Sequence, residues 1–235
     1  MKPKTVLSIL NNYQNNSILS SLSTKEYQRL SEAIMPVKLS LKQILIEANQ
    51  PCETVYFPTK GVVSLLLLMQ DDSTTEIGLI GTEGMVGIFQ FLGSGTSNNR
   101  AMVQIEGEAM QLDIDSLQVE FSRGETLQKL ILNYTLTLFK QISQSAGCNS
   151  RHTVQQRVAR WMLMMGDRSE QATFYMTHEF ISQMLGVRRT GVTEIAKNFQ
   201  RLGIIDYHRG QVKILNHSVL EAIACECYRT LKDRE

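Results

Sequence analysis

The stretch from Thr177 to Asn216 constrains this chain more than any other. Thr177 can cap a helix whose apolar residues Phe180, Ile181, Met184 and Leu185 recur at helical spacing, and Gly186 supplies the left-handed residue that a tight turn needs. A second helix opens on Arg188, Arg189 and Thr190, buries Val192, Ile195, Ala196, Phe199 and Leu202, and stops at Gly203. Ile204 to His208 and Gln211 to Leu215 then read as two short strands around the turn Arg209-Gly210. Two helices joined by a short Gly-containing turn form a helix-turn-helix, which lays its second helix in a DNA major groove. The hairpin after it reads as a wing that brings Arg209, with His208 beside it, to a phosphate. An ordinary helical hairpin in a core fits the two helices alone; the strands that follow favour the DNA-binding pattern.

Charge supports this. The net charge of +1 conceals an asymmetry: residues 1–149 carry 11 Lys and Arg against 14 Asp and Glu, whereas residues 150–213 carry ten against five. A basic end beside an acidic remainder is expected where one end meets a phosphate backbone. Cys52, Cys148, Cys225 and Cys227 lack metal-finger spacing, so no metal site is expected and a reducing, cytoplasmic location is. Cys225-Glu226-Cys227 could form a strained redox pair or bind a metal with help, but two free thiols on a C-terminal helix is the simpler account. Met1 to Asn12 has no sustained apolar core, and the apolar run Val62 to Met69 is too short to span a bilayer, so no membrane partner is expected. There is no P-loop, no HExxH and no nucleophile elbow, so the chain does not read as an enzyme; Asp71-Asp72 and the pair Glu106 and Glu108 read as solvated turns or strand edges.

Before this module the pattern predicts an α+β chain. Short helices over Thr5 to Leu10 and Thr24 to Ala33 lead into seven short runs: Val37 to Leu39, Gln43 to Ile46, Thr54 to Phe57, Val62 to Met69, Thr75 to Leu79, Ala101 to Ile105 and Ala109 to Leu112. Eight of the 15 glycines fall between Gly61 and Gly107, which suits the corners of a jelly-roll-like β barrel. Asp115 can cap a helical turn through Phe121. A long helix follows from about Glu125 to Ser145, with one stripe of Leu127, Ile131, Tyr134, Leu138 and Ile142 and a second face of Leu132, Leu136 and Phe139. Two apolar faces need two partners: the barrel and the same helix of a second subunit, unless a monomer buries both. Gly147-Cys148-Asn149-Ser150 reads as a hinge, giving a sensor domain over 1–146 and a winged helix-turn-helix domain over 147–235. Val154 to Met165 forms a further helix, with Trp161 in its apolar side and Arg151, Arg157 and Arg160 on the rest.

Barrel, long helix, hinge, basic helix, helix-turn-helix and wing, in that order, resemble the cyclic-AMP receptor/Fnr family of bacterial transcription regulators over about Leu30 to Leu215. The resemblance implies a homodimer on double-stranded DNA sites of two-fold symmetry, with RNA polymerase as a partner and a small molecule as effector. Arg189 falls where the family has an arginine that reads guanine, its fork donating to O6 and N7 together. Thr190 replaces a family Glu and Glu194 a family Arg, which implies a different half-site. Arg188 and Thr193 lie on or near the exposed edge, where they could touch bases or phosphates, and Lys197 and Arg209 suit phosphates. In the effector pocket, Gly84-Met85-Val86-Gly87 stands where cyclic-nucleotide-binding members have a Gly-Glu turn, and Met85 cannot accept a ribose hydroxyl. With Ala101 matched to the family Ala, Asn99 occupies the family Arg slot and Arg100, displaced by one residue, points to the opposite strand face; the longer loop before them leaves open a register in which Arg100 reaches inward, and ordinary cyclic-AMP binding is not expected. An iron-sulfur cluster needs thiolates near the N-terminus, and none precedes Cys52; a haem would want a His or Cys ligand in the barrel, yet His152, His178, His208 and His217 all lie beyond the hinge, which leaves Cys52 alone as a weak option for haem or thiol sensing. The competing reading is a ligand-binding protein whose helix-turn-helix is only structural.

Overall fold

The computed structural model describes residues 13–93, 95–169 and 173–232, so the helix read over Thr5 to Leu10 lies outside it. The chain divides into two compact units: Met1–Leu65 with Leu79–Phe139, and Leu66–Gly78 with Lys140–Glu235.

The first unit opens with α1 (Ser17–Ser20) and α2 (Thr24–Leu30). Asn16 is fully buried because its amide is fully used: Oδ1 accepts the Ile18 and Leu19 N–H groups, and Nδ2 donates to the Pro58 and Gly84 carbonyls at 2.9 Å. Ser23 and Glu26 form a capping box at the start of α2, and Glu26 also accepts the Leu127 N–H at 2.9 Å, so one carboxylate serves two helix N-termini. Burial opposes that charge, but the hydrogen bonds from Ser23 and Leu127 outweigh it and bring the Glu26 carboxyl down to about 2.

The seven predicted runs form five strands: β1 (Met35–Leu39), β2 (Ile44–Ile46), β3 (Thr54–Leu68), β4 (Thr74–Ile80) and β5 (Asn99–Asp113). They lie in one sheet of order β1-β5-β3-β4, with β2 also on β5. Strands β3 and β5 each absorb two of the predicted runs, because Gly61 and Gly107 let the backbones cross in close contact instead of ending them. A Cβ on Gly107 would lie 2.1 Å from the Lys60 carbonyl oxygen, and one on Gly61 would lie 2.5 Å from that of Ile105. After α3 (Ile88–Leu92) and β5 comes α4 (Ile114–Phe121), capped by Asp113 and not by Asp115 as the pattern suggested.

Helix α5 (Thr126–Arg151) runs unbroken through Gly147 to Ser150, so the expected hinge is helical and the break falls at His152-Thr153. A single Gly inside a helix this long costs only about 1 kcal/mol. Leu127, Ile131, Tyr134 and Leu138, assigned to a dimer helix, are buried within their own chain, and Ile142 is half-buried. Tyr134 donates its hydroxyl to the Met85 carbonyl at 3.0 Å. Apolar surface remains on the other face, where Leu132, Leu136 and Phe139 are 49%, 52% and 67% exposed.

The second unit contains α6 (Val154–Asp167), β6 (Thr173–Tyr175), α7 (His178–Leu185), α8 (Arg189–Arg201), β7 (Ile205–His208), β8 (Gln211–Ile214), α9 (His217–Ile223) and α10 (Cys227–Lys232). Helix α6 is its centre: a Thr153-Gln156 capping box starts it, and Val158, Ala159, Trp161, Met162, Leu163 and Met165 are almost wholly buried among α8, α9 and α10. Of the charged residues read from the sequence, Arg157 and Arg160 are also buried, 7% and 5% exposed, whereas Arg151 ends α5 and is exposed. Asp167 at the end of α6 accepts the Tyr228 hydroxyl at 2.6 Å and pairs with Lys232 at 3.2 Å, fastening α10. No helix among the described residues is long and apolar enough to cross a membrane.

Candidate nucleic-acid interface

Helices α7 and α8 are set by the residues that marked them in the sequence. Thr177 accepts the Phe180 N–H at 3.1 Å, and Gly186 caps α7 at φ 60°, ψ 43°, a left-handed conformation that lets the chain turn into α8. Helix α8 buries Val192, Ala196 and Phe199 and leaves Arg189, Thr190, Glu194 and Lys197 exposed along one face, with Arg188 at its N-cap. Ile195 is half-buried, and Leu202, expected in the core, is the C-cap residue and 57% exposed.

The guanidinium of Arg189 lies 3.6 Å from Glu179 of α7, both side chains being largely exposed. Such a surface pair contributes well under about 1 kcal/mol and can be exchanged for a stronger partner. Thr193 is only half-exposed: its hydroxyl lies 3.0 Å from the Arg189 carbonyl and 3.1 Å from His178 Nδ1. His178 stacks on Tyr207 with ring centroids 4.4 Å apart, and the Tyr207 hydroxyl donates to the Met176 carbonyl. Burial, and then the positive charges of Arg189 and Lys197, lower the pKa of His178. This uncharged imidazole joins α7, α8 and the hairpin, a role that its position beside the N-cap gave no sign of.

Strands β7 and β8 pair antiparallel with β6 on the far side of β8, giving the three-stranded sheet of a winged helix. The turn has Arg209 at φ 48° and Gly210 at φ 84°, the pair of positive angles that a two-residue hairpin loop requires. Arg209 and His208 are exposed at the tip of this wing.

In the first unit, Met85 and Val86 are fully buried, and a Cβ on Gly84 would strike the Tyr134 ring at 2.2 Å, so this turn is packed into the core. Gly87 caps α3 at φ 104°. Asn99 faces inward beside Ala101 and Val103; its Nδ2 donates to Ser97 at 2.8 Å, while its buried Oδ1 has no partner among the described residues. Arg100, on the alternate face as the strand period required, pairs with Glu47 at 2.8 Å.

The sequence matches two family models, the Cyclic nucleotide-binding domain over residues 36–123 and the Crp-like helix-turn-helix domain over residues 156–223. The chain belongs to the cyclic-AMP receptor/Fnr family of transcription regulators. Solved structures of such regulators share its fold. One from Eubacterium rectale, described as a putative regulator of this family, superposes with a TM-score of 0.74 at 16% identity, covering 89% of this chain and 98% of that one. FixK2 from Bradyrhizobium japonicum gives 0.69 at 18% identity, covering 82% and 98%. CLP from Xanthomonas campestris, a c-di-GMP responsive global regulator, gives 0.67 at 15% identity, covering 82% and 99%. No curated protein matches the chain in sequence. The residues matched by the helix-turn-helix model include α7, α8, β7 and β8.

Proposed function

We propose that this regulator binds DNA as a homodimer through α8, with Arg189 as the guanine reader and Thr190 and Glu194 setting a half-site different from that of the cyclic-AMP receptor. The observation that carries the reading is the division of α8 into a buried apolar face and an exposed face of Arg189, Thr190, Glu194 and Lys197, with Arg189 paired at 3.6 Å to an exposed Glu179. Arg188, Lys197 and Arg209 would serve phosphates, while Thr193 positions the first turn of α8 through its bonds to Arg189 and His178. The face of Leu132, Leu136 and Phe139 supports a second copy of the chain as partner. RNA polymerase is the further partner expected of a transcription regulator.

The barrel would not answer to cyclic AMP. A cyclic phosphate needs buried donors, and this slot offers Asn99, whose Oδ1 is an unpartnered acceptor, while Arg100 is already neutralised by Glu47. Met85 supplies no carboxylate for a ribose. Arg189→Ala is expected to weaken binding to the preferred duplex by about 1–3 kcal/mol and to leave binding to unrelated duplex nearly unchanged. Equal weakening on both would reassign Arg189 to a phosphate.

A further inference from the structure

Four residues with no recognisable spacing in the sequence meet in the second unit. Cys148 and His152 are one helical turn apart at the end of α5. Cys225 and Cys227 flank Glu226 at the corner between α9 and α10, where Ala224 leaves helical geometry at ψ 157°, so they do not lie along one helix as the sequence suggested. The Cys148 and Cys225 sulfurs are 3.5 Å apart, Cys227 Sγ is 3.6 Å from His152 Nδ1, and all four donor atoms lie within 4.8 Å of one another. All three thiols are almost fully buried. Zinc–sulfur bonds of about 2.3 Å and a zinc–nitrogen bond of about 2.0 Å place tetrahedral ligands roughly 3.5–3.8 Å apart, close to the separations seen here.

Two further observations point to a cation. His152 Nε2 lies 3.1 Å from Glu226 Oε1, which makes Nε2 the proton-bearing nitrogen and turns a bare Nδ1 toward the thiols. A carboxylate behind a metal-ligating histidine is the usual supporting contact, and the hydrogen bond from Gln144 Nε2 to Cys227 Sγ at 3.0 Å adds support for a thiolate. The second observation is charge. Arg157 and Arg160 are buried within electrostatic range of Cys148, and Arg157 also of Cys225. Neither has an ion pair with a carboxylate among the described residues, and Arg157 Nε and Arg160 Nε and Nη1 have no hydrogen-bond partner. Three thiolates, an imidazole and a divalent cation together carry a charge of −1, the counter-charge that these guanidinium groups need.

We propose that Cys148, His152, Cys225 and Cys227 form a closed, tetrahedral site for one thiophilic divalent cation of the zinc class, fastening the last turn of α5 to the α9–α10 corner. The donor set is that of a structural zinc site, with no position left open for substrate. A Cys148–Cys225 disulfide would use two of these groups and leave the His152–Glu226 pair and the buried arginines unexplained.

The test is metal content and Co²⁺ titration of the full-length, thiol-reduced protein. One zinc ion per chain is expected, replaceable by Co²⁺ with the strong visible bands of a tetrahedral thiolate site. Glu226→Gln keeps all four donors and should weaken the affinity about 10–100-fold, with an unchanged circular dichroism spectrum. His152→Ala should alter the Co²⁺ bands. Reduced protein that binds no zinc, Co²⁺ bands of the weak octahedral kind, or undiminished affinity in the Cys148→Ser/Cys227→Ser double variant would overturn the site. None of these readouts depends on DNA binding.

Discussion

An imidazolium at His178 would be costly: the ring is half-buried between Tyr207 and Thr193, and Arg189 and Lys197 add positive charge nearby. Its folded pKa therefore lies below the ordinary 6.5, and the unfolded chain takes up this proton first as pH falls. No effect is expected above that value; below it, stability of the second unit should decline until the folded pKa is passed. Urea unfolding above and below pH 6.5 checks this: the decline should be smaller in His178→Gln than in the parent, and an equal decline would remove His178 from the account. The exposed place of Arg189 at the start of α8 was legible in the sequence because it depends on a local helix start. His178, Arg157 and Arg160 were not, since their surroundings come from elements far along the chain, and a polar residue inside a helical stripe reads as solvated until its neighbours are known.

Among elements, the crossing of β3 and β5 determines the first unit. The sequence showed the apolar runs but divided each long strand at its glycine, because a backbone crossing is a property of two strands and leaves no periodic trace in either. Gly107→Ala puts a methyl group against the Lys60 carbonyl and should cost about 2 kcal/mol, seen as a lower denaturation midpoint of the first unit. An unchanged midpoint would mean that the crossing relaxes freely. The helix-turn-helix was legible almost to the residue, its caps and φ > 0 turn being local chemistry. Helix α5 was legible as a helix with two apolar faces, but not in the use of each: burial of Tyr134 and Leu127 by their own unit needed the partners Met85 and Glu26, roughly fifty to a hundred residues away.

For the whole molecule, the proposed dimerisation and DNA recognition use different surfaces, α5 and α8. Leu136→Glu with Phe139→Glu places charge on the exposed face of α5 and should shift the protein from dimer to monomer in sedimentation while leaving its fold intact; a monomeric parent would refute the dimer outright. The cysteine cluster lies beyond what any spacing rule could find, since its four donors come from two segments some seventy residues apart. Selection of bound sequences from a random duplex library tests sequence-specific recognition by α8. Enrichment of a two-fold symmetric motif with a guanine in each half-site that disappears with Arg189→Ala is expected, together with an affinity that falls steeply with added salt. No enriched motif, or the same motif selected by the Arg189→Ala protein, would contradict it.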